Sequence, residues 1–145
     1  MKIVKNFRHI GIVTDNLNKS IKFYQNILGL KPKIIMNEKG KITEKIINLK
    51  KANLKTVKLI NKKNQPLIEL LYFKNKNVKK DNYKIDRVGC SHFAITISNM
   101  KKFFNNLKKN KIKYLSEPTL SNDKKVILLF CRAPEGTLIE VVQVL

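Results

Sequence analysis

The sequence predicts an α+β fold made of two similar halves in tandem, each with the order strand, helix, strand, strand and room for one further strand. Two observations support this prediction. Strand-like alternation leads into helix-like spacing twice, in "RHIGIVTDNLNKSIKFYQNILGL" at residues 8–30 and "SHFAITISNMKKFFNNLKKNKI" at residues 91–112. Each half then ends in an apolar strand with a central glutamate, "LIELL" at 67–71 and "LIEVV" at 138–142. An internal duplication is the most economical explanation.

The first half begins with an alternating strand at residues 7–13, "FRHIGIV", after which Asp15 or Asn16 is expected to cap a helix. Gly29 is expected to end this helix. Its apolar positions recur at spacings of three and four: Leu17, Ile21, Tyr24 and Leu28. The strands 54–60 and 66–73 are predicted to form a hairpin across "NKKNQP". The segment 37–52 fits either a helical turn or an irregular strand.

The second half repeats this order with a strand at 91–97 and a helix that Ser98 or Asn99 is expected to cap. The strands 125–132 and 137–144 form a second hairpin across "APEG". The apolar positions of the second helix are Met100, Phe103, Phe104 and Leu107. We therefore expect module 1 at about 5–73, a Lys- and Asn-rich linker at about 74–86 and module 2 at about 87–145.

The composition indicates a globular chain of 145 residues with a formal net charge of +21. Only three of its 31 basic residues are arginines, and Lys, Asn and Ile are abundant throughout, which favours a coding bias over a specific nucleic-acid site. No apolar run approaches the roughly 20 residues that span a membrane. With no signal sequence expected and only Cys90 and Cys131 present, a cytoplasmic protein is predicted.

Histidine and glutamate recur together in the two halves, His9 with Glu69 and His92 with Glu140, and these are the only histidines in the chain. A single histidine or glutamate in a strand is more often an ordinary core or surface residue. Repetition at equivalent places argues against coincidence, and a lone carboxylate among apolar neighbours is costly to ionise. Two imidazoles and two carboxylates suit one divalent ion of the zinc, nickel, cobalt, iron or manganese group.

The opening "HIGIVTDNLNKSIKFYQNILGL", the repeated module and the closing "APEGTLIEVVQ" resemble the vicinal oxygen chelate superfamily over essentially the whole chain. That superfamily contains glyoxalase I, methylmalonyl-CoA epimerase, extradiol dioxygenases and the bleomycin and fosfomycin resistance proteins. The resemblance implies two βαβββ modules whose curled mixed sheets enclose a metal site, in one glyoxalase-like domain spanning 1–145. It implies a homodimer, and it places four residues on the metal-ligand positions: His9, Glu69, His92 and Glu140.

The subgroup stays open between two enzymes. The ligand set is similar to that of bacterial glyoxalase I and close to that of methylmalonyl-CoA epimerase, whereas the dioxygenase and fosfomycin-transferase patterns have histidine in place of Glu69. Glyoxalase I has arginine and asparagine where this chain has Val13 and Phe73. The epimerase has an acidic base on the strand where "LKTVKLI" offers Thr56 and Lys58.

The predicted function is metal-stabilised enolate chemistry on a small carbonyl compound, a 2-oxo or 2-hydroxy acid or a thioester, with Glu69 or Glu140 as general base. Lys58 shares a strand face with Thr56 and could bind a substrate carboxylate or phosphate, but an exposed strand lysine is the favoured interpretation in a chain with 28 lysines. Phe73 could line the pocket or belong to the core of the sheet. The alternative function is a metal-free protein that binds a small molecule, as bleomycin-resistance relatives do.

Overall fold

The computed structural model describes residues 3–80 and 84–145, and the chain divides into two compact units between Lys79 and Lys80. Residues 81–83 of the predicted linker lie outside the described part. Residues 74–80 and 84–91 contain no helix or strand. None of the helices in the described ranges is both long enough and apolar enough to cross a membrane.

The first unit is a four-stranded mixed sheet with two helices. Its strand order is β1-β4-β3-β2, in which β1 and β4 are parallel and the other neighbours are antiparallel. The elements are β1 (Ile10–Val13), α1 (Leu17–Asn26), β2 (Lys31–Lys39), α2 (Lys41–Ile47), β3 (Asn53–Ile60) and β4 (Pro66–Phe73). The predicted hairpin of residues 54–60 and 66–73 is confirmed as β3 and β4.

One face of the first sheet forms the core of this unit. Val57 lies opposite Leu70 and Leu59 lies opposite Ile68, and all four side chains are buried. The helix α1 contacts β2 and β4 and buries Phe23. Because side chains alternate along a strand, the other face of the sheet carries the intervening residues, among them Lys58 and Glu69.

The helix α1 begins where the sequence predicts it. The side chain of Asn16, one of the two predicted caps, accepts a hydrogen bond of 3.0 Å from the backbone N–H of Lys19. Gly29 follows the helix with a φ of +70°, a left-handed conformation that glycine adopts without steric cost. The buried side of the helix includes Phe23 as well as the predicted Leu17 and Tyr24.

The second unit repeats the topology of the first. Its strand order is β5-β8-β7-β6, with β5 and β8 parallel and the other neighbours antiparallel. Asn99 caps α3 by accepting a 2.8 Å hydrogen bond from the backbone N–H of Lys102. The elements are β5 (His92–Thr96), α3 (Met100–Lys109), β6 (Thr119–Leu120), β7 (Val126–Arg132) and β8 (Leu138–Val144). The α+β class and the two tandem βαβββ modules are therefore confirmed.

The structure also contains elements that the sequence pattern does not specify. The strand β2 includes residues 31–36, where exposed side chains on an edge strand leave no clear alternation. The ambiguous segment 37–52 contains the end of β2 and then the helix α2, which buries none of its residues. The strand β6 has only two residues and supplies the further strand of the second half.

Candidate functional site

The first histidine–glutamate pair lies within the first unit. His9 directly precedes β1, and Glu69 lies in β4 opposite Gly11. The Nε2 atom of His9 is 3.1 Å from the Oε2 atom of Glu69, and their side chains are only 20% and 16% exposed. The parallel pairing of β1 with β4 thus brings together two residues that the sequence separates widely.

The second pair has the same arrangement within the second unit. His92 begins β5, Glu140 lies in β8, and the Nε2 and Oε2 atoms of these residues are 3.3 Å apart. Ser91 Oγ and His92 Nδ1 share a hydrogen bond of 2.8 Å, which fixes the orientation of the imidazole ring. The ring of Phe130 packs edge-on against it, with the ring centroids 5.2 Å apart.

The two pairs differ in the residue that lies opposite the glutamate on the neighbouring antiparallel strand, β3 or β7. In the first unit Lys58 lies opposite Glu69 in register, and its Nζ atom is 3.6 Å from Glu69 Oε1. In the second unit Phe130 lies opposite Glu140. The first pair therefore has an adjacent cation and the second has an adjacent aromatic ring.

The structure places the three predicted substrate-binding residues on one face of the first sheet. The interpretation of Lys58 as a solvated lysine is wrong, because its side chain is only 15% exposed and contacts Glu69. Thr56 is 1% exposed, and within the described residues its Oγ1 has no hydrogen-bond partner. Phe73 is partly buried and lies on this face at the end of β4, opposite Leu54. Alternation along the strands puts all three on the side of Glu69.

Two further features of these pairs are not among those predicted from the sequence. Ser91 is an ordinary serine before a strand, and only its hydrogen bond to His92 connects it to the pair. The Nδ1 atom of His9 is buried and has no hydrogen-bond partner in the described part of the chain. A serine immediately before a candidate ligand histidine is the signal that could have identified the first feature.

The donor atoms of each pair fit a divalent metal ion. Imidazole nitrogen and carboxylate oxygen are both common zinc ligands, and two such atoms about 2.1 Å from one ion are roughly 3.0–3.4 Å apart at octahedral or tetrahedral angles. The separations of 3.1 Å and 3.3 Å lie in this range. Within residues 3–80 and 84–145, however, no three His, Cys, Asp or Glu side chains form a group that could hold a metal ion.

Comparison with known proteins identifies the family. The model of the Glyoxalase/Bleomycin resistance protein/Dioxygenase superfamily matches residues 6–141 of the chain. The chain belongs to this superfamily. The resemblance to the vicinal oxygen chelate proteins is thereby confirmed, and the superfamily includes metal-dependent glyoxalase I and fosfomycin-resistance enzymes. No curated protein matches the chain significantly.

Solved structures of other superfamily members share the fold. A glyoxalase family protein from Bacillus cereus has a TM-score of 0.87 at 20% identity, with 100% of this chain and 99% of that chain covered. The trypanothione-dependent glyoxalase I of Leishmania major has a TM-score of 0.64 at 21% identity, with 97% and 87% covered. The fosfomycin resistance protein FosX of Listeria monocytogenes has a TM-score of 0.62 at 12% identity, with 97% and 94% covered. At these identities the likeness shows the fold alone.

Proposed function

We propose that the chain is a divalent-metal-dependent isomerase, epimerase or lyase that moves a proton beside a carbonyl group of a small substrate. The observation that supports this most strongly is the repetition of one His–Glu pair, with nearly equal Nε2–Oε2 distances of 3.1 Å and 3.3 Å. Both modules carry this pair although the residue opposite the glutamate differs, Lys58 in the first unit and Phe130 in the second. The proposed ligands of the zinc-, nickel-, cobalt-, iron- or manganese-type ion are His9, Glu69, His92 and Glu140.

A bound ion of this kind would supply Lewis acidity that favours proton loss from the carbon next to a carbonyl. Glu69 and Glu140 are the candidate general bases, since their side chains are 16% and 25% exposed and so are mostly desolvated but still reachable. The carboxylate takes the proton from one carbon and returns it to the other face of that carbon or to its neighbour. The proton balance closes within the site, and no oxidant or reductant is needed.

A second candidate function is metal-free binding of a small molecule. The contact between the Lys58 ammonium group and Glu69 supports it, because a lysine compensates the carboxylate charge without a metal ion. The pair His92–Glu140 has no such lysine opposite it, since Phe130 stands in that place. A metal-free binder would therefore leave the second carboxylate without the compensation that the first receives.

Metal content distinguishes the two functions. We expect purified or reconstituted protein to carry close to one divalent ion per chain by elemental analysis, and His9→Ala and Glu140→Ala to lose it. Glu117→Ala is the matched control, because Glu117 is an exposed glutamate outside both pairs, and this variant should keep the ion. Less than about 0.2 ion per chain after reconstitution, where binding should be tight, would contradict the enzyme function.

Proton transfer is tested by exchange with solvent. We expect the metal-loaded protein to exchange the hydrogen next to the carbonyl of small 2-oxo acids or thioesters in D₂O, as followed by proton NMR. Of Glu69→Gln and Glu140→Gln, the variant that replaces the base should reduce exchange by 10²-fold or more, which is the order of a general-base contribution. Full exchange in both glutamine variants would exclude these residues as bases.

We also propose that the chain forms a homodimer. Light scattering of the same samples tests this proposal.

A further inference from the structure

The ammonium group of Lys58 is mostly shielded from solvent, and its close partner among the described residues is the carboxylate of Glu69. Its side chain is 15% exposed, and its contact with Glu69 Oε1, at 3.6 Å, is longer than an N–H···O hydrogen bond. Among the described residues, the ammonium group makes no hydrogen bond. Such a group carries three donors, and its contact with Glu69 leaves donors available. Lys58 can therefore take an additional acceptor.

Thr56 presents a second unsatisfied group on the same face of β3. Its hydroxyl is buried and has no partner within the described residues, although a hydroxyl both donates and accepts hydrogen bonds. Thr56 lies opposite Leu71, two residues along the hairpin from the pair formed by Lys58 and Glu69. Because residues two apart on a strand project from the same face, the side chains of Thr56 and Lys58 lie on the face that carries Glu69.

We propose that Lys58, with Thr56 on the same strand face, binds an oxyanion of the substrate, either a carboxylate or a phosphate group. This inference rests on the proposed function and names its substrate class, which is a small acid and not a neutral carbonyl compound. The long, flexible lysine side chain leaves Glu69 and contacts the substrate oxyanion when Glu69 serves the metal ion or takes the proton. Because the two side chains start 3.6 Å apart, the acid group is expected to lie close to the carbon that loses its proton if Glu69 is the base.

Binding of charged and neutral isosteres tests this inference by calorimetry. Pyruvate is compared with pyruvamide, and dihydroxyacetone phosphate with dihydroxyacetone, so that the two pairs separate carboxylate from phosphate binding. We expect the zinc-loaded protein to prefer the anion of one pair by tenfold or more. Lys58→Met should abolish this preference and leave zinc binding unchanged or tighter, because a nearby positive charge is removed. Lys58→Arg should keep part of the preference.

A matched control variant and a measurement on metal-free protein distinguish failure of this inference from failure of the proposed function. Lys55 points to the opposite face of β3, so Lys55→Met should keep the preference for the anion. In metal-free protein, Glu69→Gln removes the carboxylate that competes for Lys58 and should tighten anion binding at least threefold. An unchanged preference in Lys58→Met, or no gain in Glu69→Gln, would overturn the inference. Failure of the unmodified protein to bind any of the zinc, nickel, cobalt, iron or manganese ions would instead contradict the proposed function, while the metal-free comparison would still decide the role of Lys58.

Discussion

Gly11 and Glu69 are direct partners in the parallel pair of β1 and β4, and the same relationship recurs between Ala94 and Glu140 in β5 and β8. A residue with little or no side chain therefore stands beside each candidate ligand carboxylate. Gly11 and Ala94 are both exposed. The face of each sheet next to the glutamate is thus left open, as a site that admits an ion or a substrate requires.

Replacing Gly11 with alanine should stabilise the protein by about 0.5 kcal/mol. A Cβ atom at this position would meet Leu71 Cδ1 at 3.4 Å, an ordinary van der Waals distance, and Ala94 already occupies the equivalent place in the second unit. The substitution also reduces the conformational freedom of the unfolded chain. Urea denaturation followed by circular dichroism measures the change.

Gly29→Ala is the control for this prediction. Nothing lies within 4 Å of a Cβ at Gly29, but its φ of +70° is unfavourable for alanine, so we expect a loss of about 1 kcal/mol. Backbone conformation, and not space, should determine the sign of each change. Destabilisation by Gly11→Ala would mean that the open face beside Glu69 tolerates no additional atom.

The duplication explains how much of the site was predictable from the sequence. The positions of His9, Glu69, His92 and Glu140 follow from the repeat, because equivalent strands of two similar modules place equivalent residues on the same face. The contact of Lys58 with Glu69 depends on the register of the hairpin between β3 and β4, and this register includes an irregularity between Leu59 and Ile60. Alternation along a single strand does not determine such a register.

The fold was predictable where burial produces a pattern and not elsewhere. The helices α1 and α3 have capping asparagines and a buried side, and both begin where expected. The strand β2 lies at a sheet edge with little burial, and its sequence contains Pro32. The helix α2 buries no residue, and its isoleucines do not form an apolar face that packs against another element. Elements that bury few side chains show little regular spacing of apolar residues, so the sequence predicts them poorly.

Ser91 should support metal binding through His92. Its hydroxyl shares a 2.8 Å hydrogen bond with His92 Nδ1 and so holds the ring that presents Nε2 toward Glu140. Loss of a residue that orients a ligand typically lowers metal affinity by about 10- to 100-fold. We expect Ser91→Ala to weaken zinc binding by about tenfold in competition with a chromophoric chelator.

Ser98→Ala is the matched control, because Ser98 is an exposed serine in the same unit and lies outside the pair. This variant should bind zinc like the unmodified protein. Equal zinc affinity in Ser91→Ala and Ser98→Ala would show that the hydrogen bond to His92 does not act on a metal ion.

Cys131 should make the stability fall in alkaline solution. The side chain is fully buried, and this burial raises the pKa of the thiol to about 12. In the unfolded chain the thiol ionises near about pH 8.5, so the unfolded state then binds fewer protons than the folded state. The part of the unfolding free energy that comes from the neutral, buried thiol is fully present below about pH 8.5. It is lost as the pH rises toward 12, by at most about 1.4 kcal/mol per pH unit.

The slope of unfolding free energy against pH between about 8 and about 10 measures this effect, and Cys131→Ala should make the slope less negative. Titrating lysines affect both proteins alike, so the difference between the slopes isolates the thiol. Cys90→Ala, which replaces the exposed cysteine, is measured alongside as the matched control. Parallel curves for Cys131→Ala and the unmodified protein would contradict the prediction.

The net charge of +21 should give weak, non-specific binding to nucleic acid. Lysines spread along the chain attract phosphates, whereas the three arginines offer few of the bidentate contacts that read bases. Fluorescence anisotropy with unrelated DNA duplexes should show equal affinities that fall by about 10³-fold between roughly 50 mM and 200 mM salt. Zinc binding to the His–Glu pairs should change far less over this range, because ions in solution screen a partly buried site poorly. Tight binding of one preferred sequence or structure at the higher salt would show that the charge serves nucleic-acid recognition, and would make the metal site secondary to that role.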